Sequence, residues 1–195
     1  MNKYDMIERL EKKLTKKRFE HSIGVEYTAG ALAMVYGVPV DKALIAGLLH
    51  DCAKCLEPKD KIARCERHKL PISKLEYNNP ELLHAKLGAY YAKSKYGVTD
   101  EEILSAIEFH TTGKPGMSML EKIVFVADYI EPNRKPLPEI DEIRREAFTD
   151  IDVCIAHILK NTLAYLKEDE SKDTDDMSYR TYEYYIKLVA DREIK

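Results

Sequence analysis

Ala43-Leu44-Ile45-Ala46-Gly47-Leu48-Leu49-His50-Asp51 is the stretch on which the reading of this chain turns. Seven apolar or small residues in a row read as a buried helix segment, too short to span a bilayer. A histidine and a carboxylate stand at its end, and such groups are costly to bury unless hydrogen-bonded, ion-paired or metal-bound. Neighbouring helical residues point about 100° apart, so a metal held by both lies off the helix end. Its remaining ligands must then come from other segments.

Outward from this stretch the chain reads as helix. Tyr4, Ile7, Leu10 and Leu14 recur at helical spacing, and a second helix is expected from Lys17 to Tyr36, stopped by Gly37 and Pro39. Asp41 opens the helix that ends at His50-Asp51, and Pro58 stands in the first turn of the next. Leu70 to Asn79 reads as a loop or single turn, followed by an Asn79-Pro80 helix start and a stop at Gly97. Capping boxes at Thr99–Glu102 and Ser118–Glu121 open two more helices, the first carrying His110 near its end and the second carrying Asp128. Three prolines, Pro132, Pro136 and Pro138, mark a loop. Helices over 140–148, 150–168 and 178–191 follow, the last two joined by an acidic linker from Glu168 to Asp176. No alternating strand pattern and no internal repeat stand out. The expected fold is an all-α helical bundle of seven to nine helices in a single domain, residues 1–195.

Composition narrows the function. At 195 residues, 45% apolar and 33% charged, the chain can build one substantial core. A net charge of −3 gives no basic field to recommend a nucleic-acid partner. The N-terminal residues lack the apolar core and cleavage site of a secretory signal. A cytoplasmic protein without a membrane partner is expected, with its four cysteines reduced. Cys52-x-x-Cys55 has no second pair at zinc-ribbon spacing, and Cys65 and Cys154 read as packing residues.

His21, His50, Asp51, His84, His110 and Asp128 come from five helices. Imidazole with carboxylate suits Fe, Mn, Co or Zn better than Ca or Mg. Six donors exceed the three or four protein ligands of one catalytic zinc, and suit two metals about 3.5–4 Å apart. A lone helical histidine is more often a packing residue, so spacing by itself decides little for His84 or His110.

The order H…HD…H…H…D resembles the HD-domain superfamily of metal-dependent phosphohydrolases. Lys17-Arg18-Phe19-Glu20-His21-Ser22-Ile23-Gly24-Val25, Gly47–Lys54, His84–Ala89, Ala106–Gly113 and Met117–Arg134 together look like its YqeK-type branch, the bacterial symmetrical diadenosine tetraphosphate hydrolases. That resemblance implies an all-α protein that binds one or two ions, iron or a similar divalent metal, and cleaves diadenosine tetraphosphate into two ADP with a metal-activated water.

Carried over position by position, the resemblance makes His21, His50, Asp51 and Asp128 principal metal ligands. His84 and His110 serve a second metal or contact the phosphates. Asp51 and Lys54 are the catalytic candidates, Lys54 as a point charge beside the phosphate. Arg134 is placed to grip a phosphate, Thr111 and Thr112 to donate beside His110, Tyr182 to stack on a base, and Lys17 and Arg18 to add positive charge near the polyphosphate. Where the branch carries a glycine-containing segment after the arginine, this chain has Lys135-Pro136-Leu137-Pro138-Glu139. His68 and His157 match no motif position. The ligand expected is a dinucleoside polyphosphate or nucleoside diphosphate, and a homodimer is compatible with the sequence. The alternatives are a nucleotidase or phosphodiesterase of the same superfamily, a di-iron oxygenase, and a non-catalytic nucleotide sensor.

Overall fold

The chain was analysed as a computed structural model, which describes residues 1–135, 137–168 and 176–193. Eleven α-helices form among the described residues, with no strand: α1 Lys3–Glu11, α2 Lys16–Tyr36, α3 Val40–Leu49, α4 Pro58–Arg67, α5 Lys74–Asn78, α6 Leu83–Tyr96, α7 Glu101–Glu108, α8 Met119–Ile130, α9 Ile140–Thr149, α10 Ile151–Glu168 and α11 Asp176–Glu193. The all-α class stands, and the count exceeds the seven to nine expected. α1 falls where a helix was read and is opened by an Asn2–Asp5 capping box, whereas α5, opened by a Ser73–Glu76 box, makes five residues inside the expected loop helical.

Two expected caps differ. Pro80–Leu82 is a 3₁₀ turn without a side-chain cap from Asn79, and α6 starts only at Leu83. At α7 the cap is Asp100, accepting from the Glu102 N–H, rather than Thr99. The Ser118–Glu121 box forms as read, and Gly37 and Gly97 end α2 and α6 at φ of 69° and 73°. Residues 169–175 of the expected acidic linker, and Pro136 of the proline loop, lie outside the described residues.

The core is organised by α2 lying along α3 and α8, with α6 and α7 closing one side and α10 backing α8. Glycine at 47 makes the α2–α3 approach possible. A Cβ built there would lie 2.9 Å from the Val25 carbonyl oxygen and 3.0 Å from the Glu26 Cα, both backbone atoms that cannot swing aside. Gly47→Ala is therefore expected to cost about 1–3 kcal/mol despite alanine's better helix propensity. A loss of about 2 kcal/mol lowers the midpoint of a thermal melt by roughly 4–8 °C. An unchanged melt would show that the two helices part freely.

Candidate metal centre

The HD stretch reaches the centre because α3 stops. Its last helical residue is Leu49, His50 is the C-cap, and Asp51 sits in the turn that follows, so the two side chains diverge off the helix end. His21 comes from the first turns of α2, His84 from the start of α6, His110 from just past the end of α7, and Asp128 from α8. All four histidines and Asp51 are buried, while Asp128 stays partly exposed at the rim.

The six side chains converge. His50 Nε2 lies 3.4 Å and His21 Nε2 4.0 Å from Asp51 Oδ2. His84 Nε2 and His110 Nε2 lie 3.3 and 3.7 Å from Asp51 Oδ1. Asp128 Oδ1 is 3.0 Å from His21 Nε2 and 3.8 Å from His50 Nε2. Three overlapping donor sets result: His21, His50 and Asp51; His50, His110 and Asp128; Asp51, His84 and His110.

The outer nitrogen of each ring fixes what the inner one can do. Nδ1 of His50 donates to the Gly47 carbonyl at 2.7 Å, Nδ1 of His110 to the Ile107 carbonyl at 2.7 Å, and Nδ1 of His84 to the Glu81 carbonyl. His21 Nδ1 meets the Glu131 carboxylate at 2.9 Å. Carbonyls and carboxylates only accept, so each Nδ1 carries a proton, and each ring in its neutral form turns the Nε2 lone pair inward. His84 Nε2 and His110 Nε2 then face one another at 3.1 Å, two acceptors that repel unless a cation or proton stands with them. His21 Nε2, His50 Nε2 and Asp51 Oδ1 are buried without a hydrogen-bond partner, an arrangement costly in an apolar interior. The orphaned atoms, the fixed tautomers and the mixed imidazole–carboxylate set fit a divalent metal.

The electrostatics agree. Burial alone would raise the Asp51 carboxyl, but His50, His110 and His84 override it and hold it well below its usual range. Burial likewise opposes ionisation of Asp128, and His21, His50, Arg134 and His110 lower it. Both carboxylates are thus anionic, as ligands must be. Burial pushes the His84 imidazole well below its ordinary value, with Lys54 and His110 adding to the effect against Asp51.

Cations ring this centre. Arg18 Nη1 donates to Asp51 Oδ2 at 2.7 Å, and Arg134 Nη1 to Asp128 Oδ1 at 3.0 Å. Lys54 Nζ lies 3.3 Å from both ring nitrogens of His84, its pKa lowered by burial. A cavity of about 700 Å³ opens beside the centre, lined by Lys17, Arg18, His21, Arg134, Lys135 and Leu137. A second, of about 270 Å³, is lined by Thr111, Thr112, Phe109, Lys86 and Met177.

Of the residues singled out by the sequence, the six donors, Lys54, Arg134 and Thr111 come together, with Thr111 Oγ1 3.1 Å from His110 Nε2. The Thr112 hydroxyl turns to the Gly113 carbonyl instead, at 3.0 Å. Tyr182 packs half-buried against the hydrophobic core and lines neither of these cavities. His157 is held by Glu146 and Glu139 away from the centre, as a packing histidine would be. Sequence reasoning gave Glu131 no role, although it lies three residues after Asp128, at the C-cap of α8. It holds His21 from behind, while its second oxygen accepts the Asn133 N–H at 2.8 Å.

An all-helical fold carrying a buried His/Asp centre with cationic walls defines a metal-binding hydrolase of the phosphate-handling kind. The chain belongs to the HD domain family, whose model matches residues 18–133. It is 41% identical over 187 residues to a Bacillus subtilis (strain 168) protein named symmetrical bis(5'-nucleosyl)-tetraphosphatase, covering 95% of this chain and 98% of that one. A protein of the same name from Halalkalibacterium halodurans is 43% identical over 166 residues, covering 85% and 88%. The crystal structure of a predicted HD superfamily hydrolase involved in NAD metabolism from Clostridium acetobutylicum superposes with a TM-score of 0.91 at 39% identity, covering 96% of this chain and 99% of that one. No helix among the described residues is long and apolar enough to cross a membrane.

Proposed function

We propose that this chain, acting as a single cytoplasmic domain, hydrolyses diadenosine tetraphosphate at its central phosphoanhydride and releases two ADP. The observation that carries the reading is the convergence of four inward-facing imidazole nitrogens and two carboxylates, with Arg18, Lys54 and Arg134 around them. The relatives bearing the tetraphosphatase name match it along nearly their whole length.

His21, His50, Asp51 and Asp128 are assigned as the principal metal ligands, with His84 and His110 completing a second position; iron is the assigned metal. When bound, a divalent metal supplies Lewis-acid stabilisation of a phosphoryl oxygen and acidifies a water. The chain's own residues supply the rest. Arg18 spends one N–H on Asp51, and Arg134 spends its Nη1 on both the carboxylate and the backbone carbonyl of Asp128, which leaves their remaining donors to grip the polyphosphate from the cavity wall. Lys54, stiffened against His84, places positive charge where the departing diphosphate gathers negative charge. Asp51 Oδ1, buried and without a hydrogen-bond partner, is the acceptor that orients the attacking water. Water oxygen joins one β-phosphorus, the bond from that phosphorus to the bridging oxygen breaks, and the second ADP leaves with that oxygen.

The products test the reading. Chromatography after incubation with diadenosine tetraphosphate should show ADP alone; AMP with ATP, or free phosphate, would overturn symmetrical cleavage. Turnover that persists with redox-inert metals and without oxygen consumption separates hydrolysis from oxygenase chemistry.

A further inference from the structure

Apart from the metal centre, a cavity of about 240 Å³ lies where the turn after α1, the α3–α4 connection, α4 and α6 meet, its walls including Lys13, Cys55, Arg64, Tyr91, Lys95 and Tyr96. Three of these side chains are cationic and a fourth cation stands beside them. Arg9 Nη1 donates to the Lys95 carbonyl at 2.6 Å, and its guanidinium lies 5.1 Å from the Tyr96 ring centroid. Arg64 donates to the Tyr91 hydroxyl at 3.0 Å, and Lys95 Nζ lies 3.1 Å from the centroid of that same ring.

None of the four forms an ion pair with a carboxylate among the described residues. The contrast with the rest of the molecule is direct. Lys3, Lys61, Lys114 and Lys122 are matched by Glu26, Glu81, Glu121 and Asp152. Around this cavity the charges repel one another instead. Burial, Arg9 and Lys95 lower the Lys13 pKa, and burial, Arg64 and Arg9 lower that of Lys95. Asp60, one turn earlier on α4, offsets part of the field at Arg64.

Four like charges converging on a concavity are unfavourable until a multivalent anion turns the repulsion into attraction. The aromatic walls hold the cations in place and exclude water from one side. At about 240 Å³ the space is below the roughly 300–1,000 Å³ usual for drug-sized ligands, so it suits a bare anion rather than a nucleotide. We propose that this cavity is a second anion site, taking a small inorganic phosphate, orthophosphate or diphosphate, through Arg9, Lys13, Arg64 and Lys95. It is separate from the catalytic pocket, yet Cys52 on its wall directly follows Asp51 in the chain.

The exposed thiol of Cys55 reports on the site without reference to turnover. In the metal-loaded protein, the rate of Cys55 carbamidomethylation by iodoacetamide, a neutral reagent, is followed by mass spectrometry with orthophosphate, diphosphate or chloride at matched ionic strength. At ten times its dissociation constant the bound phosphate should slow the reaction roughly tenfold. The arm with the stronger protection identifies the preferred ion, and chloride should give none. Protection should persist in Asp51→Ala and vanish when Lys13→Gln and Lys95→Gln are combined, each variant being compared with itself without phosphate. Equal rates with and without both phosphates, protection by chloride alike, or protection lost in Asp51→Ala would each overturn the proposal. Should the double variant fail to fold, Arg64→Gln serves in its place.

Discussion

Asp51→Ala should lose its metal and its turnover together, with kcat/KM falling on the order of a thousandfold or more, equivalent to about 4 kcal/mol of transition-state stabilisation. The reason is the position of this one carboxylate. Nε2 of His50, His84, His110 and His21 lie at 3.4, 3.3, 3.7 and 4.0 Å from one or other of its oxygens, so it is the only side chain of the six within reach of all four rings. It belongs to two of the three donor sets, and it also anchors Arg18 at 2.7 Å. Alanine leaves four inward lone pairs around a void with one guanidinium unpaired. Metal content by elemental analysis and hydrolysis by product release are the two readouts, with circular dichroism confirming the helices. Wild-type turnover by this variant would refute the assignment of the centre.

Removing Glu131 should act on the metal at one remove. Its carboxylate fixes the His21 tautomer from outside the centre, at 2.9 Å from Nδ1, and loss of such a supporting partner typically costs about 10–100-fold in metal affinity or activity. Glu131→Ala is expected to weaken metal binding by that amount, about 1.4–2.7 kcal/mol. Glu131→Gln, which retains an acceptor oxygen, should recover most of it. Gly24→Ala should reproduce the defect without touching the acid, because a Cβ there would fall 2.2 Å from Glu131 Oε2 and drive the carboxylate off His21. Competition against a chelator measures all three. Metal retained with unaltered affinity in Glu131→Ala would remove it from the centre's support.

Legibility in the sequence followed the range of the interactions. Ser118–Glu121 and Gly37 announced their helix ends because the bonds that make them are local. The Ser73–Glu76 box was equally local, but it sits between Pro71 and Pro80, and a five-residue helix there reads as loop. Asn79 followed by Pro80 has the composition of a helix start. Asn79 nevertheless adopts φ −122° and ψ 70°, and the chain makes a 3₁₀ turn before α6 begins. The six donors were found through motif resemblance rather than periodicity. Glu131 was missed because its partner, His21, lies 110 residues away. Arg18 was read only as nearby positive charge, whereas it binds Asp51 directly.

The donors are drawn from residues as far apart as His21 and Asp128, and this bears on how the protein is made in the cell. A nascent chain still attached to the ribosome before α8 has emerged presents an incomplete set, so the ion is captured late, by a chain already close to its finished shape. A truncated product ending ahead of that helix lacks Asp128 and with it the set formed by His50, His110 and Asp128.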